Sequence, residues 1–217
     1  MTNWRRRIVL LVVVVIGAIV IAGTVLYLMV KHLPAFYDKA LAINRQQLEE
    51  SREELLERVE QLKQDVRFTP AFHVTLTDDQ LNGWLANNYD SGSRAISRPR
   101  LAIHPGFIEI GCRARYKSWE SVISARLTLR PSDRRNVVEV QIRSIKAGSL
   151  SVGWDGVLDQ VRQAVERTRL QTSWTSGDGE AAVEVVIPAR WTQVHRSVVI
   201  ESIELDEGQV TLRGRTE

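Results

Sequence analysis

Four histidines, one cysteine and a few neighbouring carboxylates are the residues of this 217-residue chain with the broadest chemical reach. His32, His73, His104 and His195 lie far apart in sequence, and no pair has the H-x-x-x-H spacing that puts two imidazoles on one metal ion. Cys112 has no companion for a Cys/His metal set or for an internal disulfide. Asp78-Asp79 follows Thr77 at a helix start, where the positive end of the helix dipole accounts for two carboxylates. Asp155 and Asp159 fall on the polar side of a second expected helix. No G-x-S-x-G, P-loop, G-x-G-x-x-G or S-x-x-K signature occurs. The residues therefore point away from an enzyme, and they imply neither a metal nor a cofactor.

Arginine and tryptophan carry the remaining signal. Residues 68–217 hold 17 arginines against two lysines, Lys117 and Lys146. Arg113, Arg115, Arg126, Arg130 and Arg143 occupy the outward positions of consecutive alternating runs. Guanidinium groups bind phosphate and carboxylate in a bidentate manner, so such a face suits contact with an anionic surface of lipid headgroups. The plain alternative is a solvated sheet face balanced by Glu109 and Glu139. Trp119, Trp174 and Trp191 stand near strand ends or loops, where they are candidate ligand-binding residues; ordinary packing is the competing account. Trp84 and Trp154 sit on expected apolar helix faces.

Alternation marks the elements that must hold these side chains. Ile108, Ile110, Cys112, Ala114 and Tyr116 alternate with Glu109, Gly111, Arg113 and Arg115. Ile123 to Arg130 and Val138 to Arg143 repeat the pattern, which predicts a meander of antiparallel strands with one buried face. Two further hairpins are expected, one around Ser176-Gly177-Asp178-Gly179 and one around Asp206-Glu207-Gly208. Laid over each other, Leu101, Ile103, Gly106, Ile108 and Ile110 match Ile203, Leu205, Gly208, Val210 and Leu212. Alternation alone would produce much of that agreement, so the pattern leaves a true repeat open. Thr77 with Gln80 predicts a capped helix whose apolar face is Leu81, Trp84 and Leu85, followed by a polar loop to Arg100. A second helix is expected over about 154–168.

Ahead of this domain the composition changes. Residues 8–30 contain no charge, and Arg5, Arg6 and Arg7 precede them. The net charge of +3 lives in that triplet, because residues 31–217 carry 26 basic and 26 acidic side chains. With no global basic excess, a nucleic-acid partner is not expected. Twenty-three helical residues reach about 35 Å, enough for the hydrocarbon core of a bilayer. The positive-inside rule then assigns residues 1–7 to the cytoplasm, 8–30 to a single transmembrane helix and the rest to the outside. A cleaved signal peptide ending at Ala22 is the rival reading, although the apolar run continues well past it.

Residues 31–67 form an expected helical stalk and 68–217 an extracytoplasmic domain. Leu41, Leu48, Leu55 and Leu62 recur every seven residues, with Val59 and Val66 in a second heptad position. That seam permits a homo-oligomer through residues 41–66, or a long helix packing one stripe on its own domain.

The segment Val74-Thr-Leu-Thr-Asp-Asp-Gln-Leu-Asn-Gly-Trp-Leu85, followed by strands and by Ile142-Arg-Ser-Ile-Lys-Ala-Gly-Ser-Leu150, resembles the uncharacterised YpmS-like membrane-anchored extracytoplasmic proteins of bacteria. It resembles more distantly curved-sheet lipid-binding domains. The likeness covers about residues 72–165 and brings no catalytic residues with it. Together these readings predict an α+β fold, a curved antiparallel sheet covered by two or so helices. The expected function is a single-pass anchored binding protein holding a lipid or other apolar ligand, the alternative a scaffold subunit of a membrane complex.

Overall fold

The computed structural model describes residues 20–90, 96–116, 119–132, 134, 136–152, 171–177, 180–186 and 198–216. The fold is α+β, with antiparallel strands throughout. Helix α1 (Val20–Lys31) is followed after a bend of 48° by α2 (Ala35–Leu41), then by α3 (Arg45–Phe68). Strand β1 (Ala71–Thr77) leads directly into α4 (Asp78–Tyr89). The meander is β2 (Ile96–His104), β3 (Phe107–Tyr116), β4 (Trp119–Pro131) and β5 (Val137–Ala147), with β6 (Leu150–Ser151) folding back on β5. Two hairpins complete the chain, β7 (Gln171–Gly177) with β8 (Glu180–Val186), and β9 (Val198–Asp206) with β10 (Gln209–Thr216).

Where one curved sheet was expected, there are two. A seven-stranded sheet runs β2-β3-β4-β5-β8-β7 with β6 beside β5, and a three-stranded sheet runs β1-β10-β9. The cause is β1, whose residues Val74 and Leu76 pair with Leu212 and Val210 and draw the last hairpin out of the larger sheet. Sequence alternation marks the strands, but it does not name the neighbouring strand.

The two hairpins that overlay in sequence are joined in space. Each closes on a two-residue turn, His104 opposite Phe107 and Asp206 opposite Gln209. In each the second turn residue is a glycine at positive φ, 81° for Gly106 and 73° for Gly208, a conformation that glycine adopts without steric cost. The bonds between the turns are reciprocal. Gly106 N donates to Leu205 O at 3.1 Å and Gly208 N donates to Ile103 O at 2.9 Å, and Ile103 and Leu205 are the matching positions of the two hairpins. Asn136, held at φ 57° before β5, ties the sheets a second time: its side chain donates to Val198 O and accepts from Ile200 N.

The expected stalk helix is part of the domain. Leu62 and Val66 of α3 pack with Phe72, Val74 and Val198 in one buried cluster, and Leu55 is buried as well. A second copy using the heptad seam would have to displace these contacts. The buried residues of α4 also differ from expectation. They are Gln80, Asn82 and Gly83, whereas Trp84 is 40% exposed and meets Tyr89 edge-on. Local hydrogen bonds reverse the hydropathy pattern here. Asn82 Nδ2 donates to Leu101 O and its Oδ1 accepts from Leu101 N, both at 2.9 Å, so a side chain completes the backbone bonding of β2.

Among the described residues no single helix is long and apolar enough to cross a membrane, and α1 with α2 qualifies only as a bent pair. Residues 8–19 of the expected span, the helix expected over 154–168 and Trp191 lie outside the described residues. α2 belongs to the domain: Tyr37 is fully buried, and Phe36 and Tyr37 lie against Gly111 of β3.

Candidate functional site

Two helices and a strand flank an open cavity of about 540 Å³. α3 begins at Asn44, whose side chain caps the helix by accepting from Gln47 N at 2.9 Å. From that start Arg45, Leu48, Glu49 and Arg52 form one stripe at i, i+3, i+4 and i+7. α4 supplies the equivalent stripe, Gly83, Ala86, Asn87 and Asp90. The helices can approach because Gly83 has no side chain; a Cβ there would lie 2.4 Å from Leu48 O and 2.8 Å from Arg52 N.

The third wall is a distortion of β2. Ser97 pairs with Arg113 and Arg100 with Gly111, so Arg98 and Pro99 together oppose the single residue Cys112. Pro99 has no N–H to give the ladder, and Arg98 sits at φ 50°, an uncommon conformation for a residue with a side chain. Bulges of this kind re-aim side chains beside functional sites. Tyr37 holds the bulge from behind, its hydroxyl donating to Arg98 O at 2.7 Å. Burial pushes the Tyr37 hydroxyl pKa up, opposed in part by the Arg113 charge.

Arg100 is 3% exposed. It donates through Nη1 and Nη2 to the two oxygens of Asp90 at 2.9 and 2.6 Å, and through Nη1 to Pro99 O at 2.8 Å. Its Nε is buried without a hydrogen-bond partner. Arg45 pairs with Glu49 on the outer rim at 3.0 Å. Arg52 and Arg98 make no ion pair among the described residues, so the four arginines and two carboxylates of the lining leave two positive charges uncompensated.

The arginines singled out from the sequence are elsewhere and are mostly paired. Arg113 and Arg115 both reach Glu120, at 3.4 and 3.5 Å. Arg126 reaches Glu109 at 2.8 Å and lies 4.4 Å over the Phe107 ring. Arg130 is exposed opposite Glu139 on β5, and Arg143 is exposed on the same strand. Nor is their face of the sheet wholly solvated. Gly111 and Ser124, cross-strand partners on that face, are buried, and α2 covers Gly111. Trp174 is half-buried against Ile142 and Ile145 in the core of the larger sheet rather than lining a groove. Trp119 starts β4 opposite Tyr116, and Trp191 lies outside the described residues.

No cluster of three or more metal-ligating side chains exists among the described residues. Cys112 is partly buried, and that burial pushes its thiol pKa up to about 11. Asp90, Arg98 and Arg100 were missed because the stretch up to Arg100 reads as loop, whereas Arg52 reads with Arg45 as a polar position in the heptad seam of a helix. The stripes 45/48/49/52 and 83/86/87/90 carry charge where an interior helix face would carry apolar residues, a signal for Arg52 and Asp90 but not for Arg98 or Arg100.

No family model matches the chain, and neither a curated protein nor a solved structure matches it.

Proposed function

We propose that this chain is a single-pass membrane-anchored extracytoplasmic binding protein whose domain is held in a fixed pose against the end of its anchor. The observation that carries this reading is the junction at the carboxyl end of α1. The last carbonyls of a helix have no partner within it. Here Met29 O accepts from Ser149 N at 2.9 Å and from Ser149 Oγ at 3.1 Å, while Val30 O accepts from Ser121 Oγ at 2.8 Å. Gly148, at φ 61°, makes the contact possible, since a Cβ there would lie 2.2 Å from Met29 O. Strand β4 and the β5–β6 turn thus cap α1.

Among the described residues, most of α1 is exposed. Val20, Ile21, Leu26 and Leu28 are all more than half exposed, and Thr24 returns its hydroxyl to Val20 O at 2.8 Å. An exposed apolar helix with its Thr24 hydroxyl satisfied internally suits a lipid surrounding. Arg5–Arg7 ahead of the span supply the orientation, cytoplasmic at the N-terminus and external beyond Lys31. The cavity lip at Leu41 follows ten residues after Lys31, so a ligand would be met close to the bilayer.

A binding role is preferred to a scaffold role because Leu55, Leu62 and Val66 of the heptad seam are packed inside the domain while Leu41 and Leu48 line an open concave site. The ligand expected from the sequence was apolar; the cavity walls favour a polar, anionic group over an acyl chain alone. Protease added to intact spheroplasts should remove a C-terminal tag, and full protection would overturn the orientation. Gly148→Val should free the domain from α1 and broaden spin-label distances measured between α1 and β5. An unchanged distribution would remove the fixed pose.

A further inference from the structure

We infer that the cavity between α3, α4 and β2 binds the phosphate of a phosphomonoester, with Arg52 and Arg98 as its direct ligands and Arg100 as the buried base of the site. This rests on the binding-protein reading and names its ligand class. Charge is the first argument. A phosphomonoester carries close to two negative charges at neutral pH, and among the described residues Arg52 and Arg98 of the lining make no ion pair.

Geometry is the second argument. Arg52 comes from a helix and Arg98, an exposed residue, from a strand bulge, so two arginines line the cavity from different walls. Each offers a planar fork of donors matched to phosphate oxygens. The left-handed backbone at Arg98 costs energy and is held in place by Tyr37, and it places an exposed arginine at the cavity wall. Arg100 supplies a third signal, a buried Nε with a free proton at a guanidinium already fixed by Asp90. A desolvated donor of this kind costs free energy until an acceptor reaches it.

Size is the last argument. About 540 Å³ is several times the room a bare phosphate needs and falls in the range of small-molecule sites, so the phosphate arrives on a larger body. Leu41, Ile43 and Leu48 give the cavity an apolar edge for that body. The phosphate could be presented by a phosphatidate headgroup from the adjacent bilayer or by a soluble phosphate ester. Both share the chemistry that the arginines read.

The test uses the full chain in neutral-detergent micelles. Calorimetric titration is run with inorganic phosphate, with glycerol 3-phosphate, and with micelles doped with phosphatidate. Saturable binding of at least one ester is expected, weakened tenfold or more by Arg52→Gln with Arg98→Gln. Arg52→Lys with Arg98→Lys should weaken it less, which separates loss of ligands from loss of fold. Arg113→Gln with Arg115→Gln and Arg126→Gln should stay within twofold of the parent. Binding of the soluble ester alone assigns a soluble ligand, and binding of phosphatidate alone assigns a headgroup. No saturable binding of any probe would overturn the proposal, as would equal weakening by the two sets of variants. Neither result would touch the protease test of topology, so the two readings fail separately.

Discussion

The arginines of the β3–β4 face and those of the α3–α4–β2 cavity share a side chain and little else. On the sheet face, Arg113, Arg115 and Arg126 meet Glu120 and Glu109 across neighbouring strands, at side-chain exposures from 34 to 67%. Such pairs are screened by water and contribute little. In the cavity, Arg100 is almost completely enclosed and bidentate to Asp90, and Arg52 and Arg98 stand beside it without carboxylates of their own. A partner one strand away neutralises an arginine cheaply; an arginine set in a concavity among too few carboxylates keeps its charge available to a ligand. Counting arginines does not separate the two sets, whereas counting the carboxylates within reach does.

The widest gap between the regions should appear when one carboxylate is removed from each. Asp90→Asn leaves the Arg100 guanidinium buried without its counter-charge. Breaking a buried pair costs about 3–5 kcal/mol, and the partial exposure of Asp90 brings the expectation to about 3 kcal/mol. Glu120→Gln, which removes a partner from two surface arginines, should cost less than about 0.5 kcal/mol. Urea unfolding of the full chain in detergent measures both. Equal costs would break the comparison.

Gly83→Ala should come next, at about 2 kcal/mol, because the new methyl group meets the α3 backbone and forces the two cavity helices apart. Wild-type stability in that variant would mean that the helices part without strain. Tyr37→Phe should cost about 1 kcal/mol by leaving Arg98 O without its donor. It should also loosen the bulge, seen as faster amide exchange along β2. Exchange rates that do not change would assign the bulge to its Pro99 alone.

Two smaller effects concern titration near the junctions. Partial burial, reinforced by the neighbouring Asp79 charge, raises the pKa of Asp78 above its ordinary 3.8. The folded state then holds the proton more tightly than the unfolded state. Stability from this group is present below the ordinary value and is lost as pH rises through the raised one. Asp78→Asn should therefore flatten the fall in Tm as pH rises from about 4; an unaltered slope would assign that fall elsewhere. Cys112, with its thiol at about 11 instead of 9.0, should resist a thiol-specific reagent at pH 8 until the chain unfolds. Rapid labelling of the folded chain would show that β3 opens easily.

How much of this was legible depends on the range over which each rule acts. Helix capping acts over three residues, so Thr77 and Gln80 gave the start of α4, and the capping box is present with both its bonds. Strand alternation acts over two, so the strands β3, β4 and β5 and the Gly106 and Gly208 turns followed directly, although on β3 and β4 the most buried residues, Gly111, Val122 and Ser124, lie on the face expected to be outward. Asn82 was not legible, because its partner Leu101 lies 19 positions away and an asparagine in a helix does not name a distant strand. The bulge at Arg98 was hidden for the same reason: a Ser/Gly/Arg-rich stretch reads as loop until Gly111 and Arg113 are seen opposite it.

The sequence by itself determined the antiparallel α+β class, the capped helix, the two glycine turns and the concentration of unbalanced charge in the first seven residues. All of these follow from interactions between residues a few positions apart. Tertiary structure alone decided that the strands divide into two sheets, that Leu55, Leu62 and Val66 of α3 pack inward, and that α1 ends against Gly148 and Ser149. It also decided which arginines lack a counter-charge. Charge compensation is a matter of distance in space: Arg126 finds Glu109 17 positions away, while Arg52 and Arg98, 46 positions apart, share one cavity.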